Sequence, residues 1–189
     1  MYTLTARYRD ALAFAFEKHA GQVRKASQTP YLGHPLRVSG MVMEWAESED
    51  EVIAALLHDV AEDCGGLAAL EEIRQRFGET VARLVEQCSD SLVADPTHKA
   101  PWRQRKEAFI ARARTADPAA QRVMLCDKID NSLATLERFR QEGDSAFRIF
   151  KTGREILWYF HEMYDALKDS TPPALAERYR RILDELPAS

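Results

Sequence analysis

Apolar side chains recur at helical spacing along most of the chain. Leu4, Ala11, Leu12, Ala15 and Phe16 predict a helix over residues 4–19. From Gly21 to Gly33 the period gives way to polar residues, Pro30 and two glycines, which predicts a loop. His34-Pro35 then opens a second helix. Proline suits the first helical position, where its missing N–H costs nothing, and it pushes the residue before it out of helical geometry. His34 is therefore expected at a helix mouth, its side chain presented rather than buried along a face. Leu36, Met41, Val42 and Trp45 continue the apolar stripe. Residues 50–63 form the most apolar segment, with Val52, Ile53, Ala55, Leu56 and Leu57, and read as one helix stopped by Cys64-Gly65-Gly66. Two shorter amphipathic helices are predicted over 67–77 and 79–91, then a surface loop over 90–101. Further helices are predicted over 102–115, 118–140, 145–168 and 173–186. The fold class expected is all-α, a single helical domain over residues 1–189 with no internal repeat. Its motif-bearing core runs over about 8–140, followed by C-terminal helices over 144–186.

Composition strengthens that reading. The 27 Ala and 18 Leu outweigh 9 Val and 7 Ile, and straight-chain and small residues lose less rotamer freedom in a helix than β-branched ones. The chain has 26 Lys and Arg against 30 Asp and Glu, a net charge of −4. An electrostatic nucleic-acid binder is normally basic, so nucleic acid is not an expected partner, and any phosphate must be met by a local cluster. The basic Trp102-Arg103-Gln104-Arg105-Lys106 is too small for a nucleic-acid site and suits the mouth of a pocket. No apolar run approaches the ~18 residues of a membrane span. The N-terminal residues lack the basic-then-apolar layout of a signal peptide. Cys64, Cys88 and Cys126 are odd in number and unpaired in spacing, which argues against a disulfide framework. A cytoplasmic location is expected.

The chemistry concentrates where apolar helices end. His58-Asp59 closes the most apolar segment, and Glu62 and Asp63 lie four residues on. Positions i and i+4 share a helix face, so three carboxylates and an imidazole are expected to emerge together. Unpaired carboxylates are costly to bury; either this end lies in water or a cation gathers the charges. A second apolar run, Val123 to Cys126, leads into Asp127 and Asn131, again one turn apart. With His34 added, two imidazoles and two carboxylates suit a catalytic divalent metal such as Mn²⁺, Fe²⁺ or Zn²⁺. Spacing alone does not bring the four together.

Five motifs carry a family likeness: Gly21-Gln22-Val23-Arg24-Lys25, Pro30-Tyr31-Leu32-Gly33-His34-Pro35, Ala54 to Asp63 with its central His58-Asp59, Phe77-Gly78, and Asp127-Lys128-Ile129-Asp130-Asn131. In this order they resemble the HD-domain hydrolases of the RelA/SpoT family, above all the stand-alone small alarmone hydrolases, collinearly from about residue 8 to residue 136. The resemblance implies an all-α HD-domain bundle. It makes His34, His58, Asp59 and Asp127 ligands of a divalent metal, usually Mn²⁺, and Glu62 and Asp63 the pair that orients or activates water. Arg24, Lys25 and Asn131 become contacts to a small nucleotide. The reaction implied removes the 3′-pyrophosphate from a guanosine tetra- or pentaphosphate, releasing pyrophosphate and GDP or GTP. No membrane partner is implied, and the protein would be a monomer or small homo-oligomer.

Departures fall near the base pocket. Asn131 is followed by Ser132-Leu133 instead of the family's x-Arg step, Asp130 stands where an aromatic or histidine is common, and Ala134 where a polar residue is frequent. These departures leave the choice of base open, with an adenosine alarmone as the alternative to the guanosine one. The rival functions are an HD phosphatase of nucleotide phosphomonoesters or NADP, and a nucleotide-binding protein without turnover. His19, His98 and His161 are expected to be structural, as is the Trp158–Phe160 cluster.

Overall fold

The computed structural model describes residues 1–93 and 95–188. The described residues fold into α1 (Ala6–Lys18), α2 (Gly33–Met43), α3 (Glu49–Leu57), α4 (Val60–Asp63), α5 (Leu67–Phe77) and α6 (Glu79–Cys88). The second half holds α7 (Trp102–Ala113), α8 (Pro118–Glu142), α9 (Glu155–Leu167) and α10 (Pro173–Glu185), with 3₁₀ turns at Pro96–His98 and Gly143–Ile149. The fold is all-α, as expected. An isolated antiparallel bridge between Val23 and Pro30 ties off the loop after α1. No helix among the described residues is long and apolar enough to cross a membrane.

Helix α8 is the axis of the bundle, packed against α2, α3, α6, α9 and α10. Every residue from Ala119 to Asp130 is buried, so its polar side chains must find partners inside. Gln121 donates to the Ala113 carbonyl at 2.8 Å. Arg122 reaches the buried Glu51 with Nε and Nη2 at 3.0 and 2.8 Å. Asp117 caps this helix, its carboxylate accepting from the Ala119 amide, with Pro118 in the first turn. Helix α3 is the second core element: Val52 to Leu57 are wholly buried. Its N-terminus is set by the Ser48 cap and three acidic residues, which suit the positive end of the helix dipole.

The structure corrects the predicted elements in three places. The helix expected over 50–63 breaks at His58-Asp59, leaving α3 and the single turn α4. His58 Nδ1–H donates to the Ala55 carbonyl at 2.8 Å, the acceptor that the Asp59 amide would take in an unbroken helix. Asp59 and Asp63 still stand one turn apart, the Asp63 amide donating to the Asp59 carbonyl at 2.9 Å. The helix expected over 145–168 starts at Glu155, because Gly143 and Gly153 take left-handed φ values of 60° and 56°. The third correction concerns His34, which is 1% exposed. Helix α2 begins one residue earlier and packs on α3 and α8, so the ring is enclosed.

Candidate active site

Three distant stretches converge on the inner face of α2. His34 enters from the first turn of α2, His58 and Asp59 from the break between α3 and α4, and Asp127 from the middle of α8. His34 Nε2 lies 3.4 Å from Asp59 Oδ2 and 3.1 Å from Asp127 Oδ1. His58 Nε2 lies 3.1 and 3.7 Å from the same two oxygens. The imidazoles meet edge to face with centroids 5.2 Å apart. His34, His58 and Asp59 each offer a donor atom within 4.8 Å of the others, enough to hold a metal ion. Asp127 touches both imidazoles but stands outside that mutual set. Its oxygens also accept from Lys128 Nζ and Asn131 Nδ2, each at 2.5 Å.

The imidazole tautomers follow from their outer partners. A carbonyl only accepts, so His58 Nδ1 is the donor to Ala55, and His34 Nδ1 likewise faces Asp130 Oδ2 at 2.6 Å. Both Nε2 atoms are thereby turned to the aspartates. His58 Nε2 is buried and makes no hydrogen bond, a cost the fold bears only if something else meets that atom. Burial disfavours charge on His34, yet hydrogen bonds to Asp127, Asp130 and Asp59 outweigh it and raise it to about 9. His58 is likewise raised against its burial by the Asp59 charge and by Asp127. Burial would raise Asp59 and Asp127, but His58 and His34 draw Asp59 far down, and Lys128 with the two imidazoles draws Asp127 far down. Two anionic carboxylates thus demand positive charge at this point. The orphaned nitrogen and the mixed nitrogen–oxygen donor set fit a divalent cation.

The acidic pair sits beside this cluster but faces two ways. Glu62 Oε2 accepts from the Asp90 amide at 3.0 Å. Burial and the Asp90 charge push Glu62 up to about 7. Asp90 itself is depressed to about 2: burial opposes this, but Lys106 and Arg105 prevail. Asp63 is an exposed residue that accepts from Gln22 Nε2 at 2.8 Å. Desolvation within the cleft and the Asp59 charge raise it.

The cluster floors a cavity of about 990 Å³ with basic and aromatic walls. Arg24 Nη2 donates to Asn131 Oδ1 at 3.1 Å, and its guanidinium lies 5.7 Å from the Tyr31 ring centroid. Lys25 Nζ sits 5.9 Å from the Phe150 centroid. Burial and the charges of Lys106, Arg24 and Lys151 lower the Lys25 ammonium. Such mutual repulsion is relieved by an anion. An acidic floor under a cationic wall, in a chain of net charge −4, is a local cluster of the kind the composition requires for phosphate.

All nine residues singled out from sequence lie in or beside this cavity. Sequence reasoning missed Tyr31 as a partner, whose hydroxyl donates to Asp59 Oδ2 at 2.6 Å. It also missed Asp90, Lys128, Arg37 and the role of Asp130, which reads in sequence only as a departure. No local pattern marks Tyr31, Asp90, Arg37 or Asp130, because each is polar-paired across elements, and Lys128 is set apart only by the burial of its pair with Asp127. Trp102, Arg105 and Lys106 line the cavity. His19 is buried against Gln22, and His98 is an exposed partner of Asp95. Tyr159 and Phe160 belong to the core, as expected, and also form cavity wall.

The HD domain family matches residues 11–151. A guanosine-3′,5′-bis(diphosphate) 3′-pyrophosphohydrolase of Aquifex aeolicus is 39% identical over 70% of this chain, which spans only 18% of that protein's length. The zebrafish (Danio rerio) MESH1 protein, of the same named activity, is 37% identical over 96% of this chain and 94% of its own. A solved structure described as a metazoan ortholog of SpoT that hydrolyzes ppGpp superposes with a TM-score of 0.78, at 27% identity and 97% coverage of both chains. With three-quarters of its length matched and the Asp59 of its His-Asp pair lining the cavity, the chain belongs to the HD domain family.

Proposed function

We propose that this chain is a Mn²⁺-dependent hydrolase that removes the 3′-pyrophosphate from guanosine, or adenosine, tetra- and pentaphosphates. The observation that carries the reading is the pairing of two inward-turned imidazoles and two aspartates beneath a wall of cations. The named activities of the Aquifex and zebrafish relatives support the substrate class. His34, His58, Asp59 and Asp127 would hold the cation, and Mn²⁺ suits their nitrogen–oxygen mixture. Bound there, a divalent cation supplies acidification of water and neutralisation of phosphoryl charge.

The chain's own groups do the rest. Glu62, near neutrality and anchored through one oxygen on the Asp90 amide, takes the proton from the attacking water. Asp63, tied to Gln22, orients that water. The water oxygen joins the phosphorus attached to the ribose 3′-oxygen, which leaves with the bonding pair and takes up a proton. Arg24 and Lys25 meet the phosphates and the base plane from the wall, and Asn131 hydrogen-bonds near the ribose. The C-terminal helices act with the motif-bearing core as one domain over 1–189, because Tyr159 and Phe160 of α9 complete the wall. The three free thiols agree with work in the cytoplasm.

A panel of 3′-pyrophosphorylated and 5′-phosphorylated nucleotides with Mn²⁺, read by product identity, tests this. Pyrophosphate and the nucleoside 5′-di- or triphosphate are expected. Release of orthophosphate alone would move the chain to the phosphomonoesterases, and tight binding without turnover would make it a nucleotide-binding protein.

A further inference from the structure

At the edge of the cavity lies an ion pair between an exposed arginine and a buried aspartate that neither the ligand set nor the acidic pair uses. Asp130 is 5% exposed and sits three residues beyond Asp127 on α8. Arg37, three residues beyond His34 on α2, grips it as a fork, Nε to Oδ1 at 2.5 Å and Nη2 to Oδ2 at 3.0 Å. Arg24 Nη2 adds a third cationic contact at 3.7 Å. The same Oδ2 accepts from His34 Nδ1 at 2.6 Å.

A neutral imidazole carries one proton, and the nitrogen that does not carry it is the one able to bind a cation. His34 Nε2 faces Asp127 and Asp59 at 3.1 and 3.4 Å, so a ring protonated at Nε2 would be satisfied by those aspartates and would offer no lone pair. Asp130 settles that competition in favour of the other tautomer, with a shorter contact to an anionic acceptor that Arg37 keeps in place. His58 is treated differently: its Nδ1–H has only the neutral Ala55 carbonyl. Resting on the reading of His34 as a metal ligand, we propose that Asp130, braced by Arg37, is a positioning residue that holds the proton on His34 Nδ1 and points its Nε2 lone pair at the cation. The alternative is a plain ion pair that clips α2 to α8.

The test is Mn²⁺ titration, with free ion read by electron paramagnetic resonance, on the wild type and the D130A, D130N and H34A variants. Long-range ¹H–¹⁵N spectra of the Zn²⁺-loaded wild type accompany it. D130A is expected to weaken Mn²⁺ about 10–100-fold, the usual worth of a carboxylate behind a ligating histidine. D130N should lose less, since its amide oxygen still accepts from Nδ1–H. The wild-type spectra should show the His34 proton on Nδ1, a result that stands even if D130A fails to fold. A folded D130A of lowered melting temperature that binds Mn²⁺ like wild type, while H34A does not, overturns the positioning role and leaves His34 a ligand. A His34 proton on Nε2 overturns it as well. Undiminished Mn²⁺ binding by H34A removes the ligand reading and this proposal together.

Discussion

Glu62→Gln isolates the proton-accepting group from everything else in the cavity. Glutamine keeps the shape and can still accept from the Asp90 amide, as Glu62 does at 3.0 Å, so the cation site should load as in wild type. What is lost is a carboxylate held near neutrality by burial and by the Asp90 charge, at about 7 in the cation-free protein. Positioned general acid–base groups contribute about 10²–10⁴ in rate, equivalent to about 2.7–5.4 kcal/mol of barrier at 1.36 kcal/mol per decade. The assay is initial-rate pyrophosphate release with Mn²⁺ content measured on the same samples. The pH profile adds a second readout. A base must be deprotonated, so the wild-type rate should rise with pH up to about 7 and then level; a bound cation moves that limb lower, never higher. Glutamine cannot titrate, so the limb should vanish. The linkage sign runs the other way for stability, since a raised carboxyl disfavours the folded state above its folded value. Cation-free E62Q should therefore melt higher than wild type at pH 8 and equally at pH 4. A variant within a few fold of wild type, or one that keeps the acid limb, would remove Glu62 from the mechanism.

Asp59→Ala deletes a carboxylate that faces both imidazoles; bound Mn²⁺ and turnover should disappear together, and equal metal content in the variant and wild type would contradict the ligand role. In the cation-free protein His34 is raised to about 9 and His58 is raised well above its ordinary range. A cation must therefore displace their protons, and Mn²⁺ affinity should climb between pH 6 and 9 with proton release seen by calorimetry in two buffers; a flat profile would refute this. By the same linkage, the stability His34 contributes is complete below pH 6.5 and fades as pH rises through about 9, so the cation-free melting temperature should fall over that window and Mn²⁺ should restore it. Arg122→Met strands the buried Glu51 carboxylate, and urea unfolding should show a loss of about 3–5 kcal/mol; a loss below 1 kcal/mol would mean that the Glu47 amide and water satisfy Glu51 without the guanidinium.

Much of the bundle was legible along the chain because helices are local. The period of 3.6 places α5 at 67–77 and α10 from Pro173 onward, and glycine or proline marks their ends. Local rules failed where a side chain took over a backbone acceptor, as His58 does at Ala55, turning one expected helix into two; the partners of Glu62 and Asp63, the Asp90 amide and Gln22, lie too far away in sequence for any local rule. They failed again at His34, since burial depends on what packs above a residue and not on its neighbours in sequence.

By itself, then, the order of residues determined the helical class, the position of most elements, and which polar groups stand at the ends of apolar helices. Only the tertiary structure decided that His34, His58, Asp59 and Asp127 meet within about 4 Å, contact by contact, and that Asp130 and Arg37 close behind them. The physical reason is separation: Arg37 and Asp130 stand 93 positions apart in sequence. An ion pair over that distance carries no periodic signal and exists only once α2 and α8 bury their apolar faces against each other.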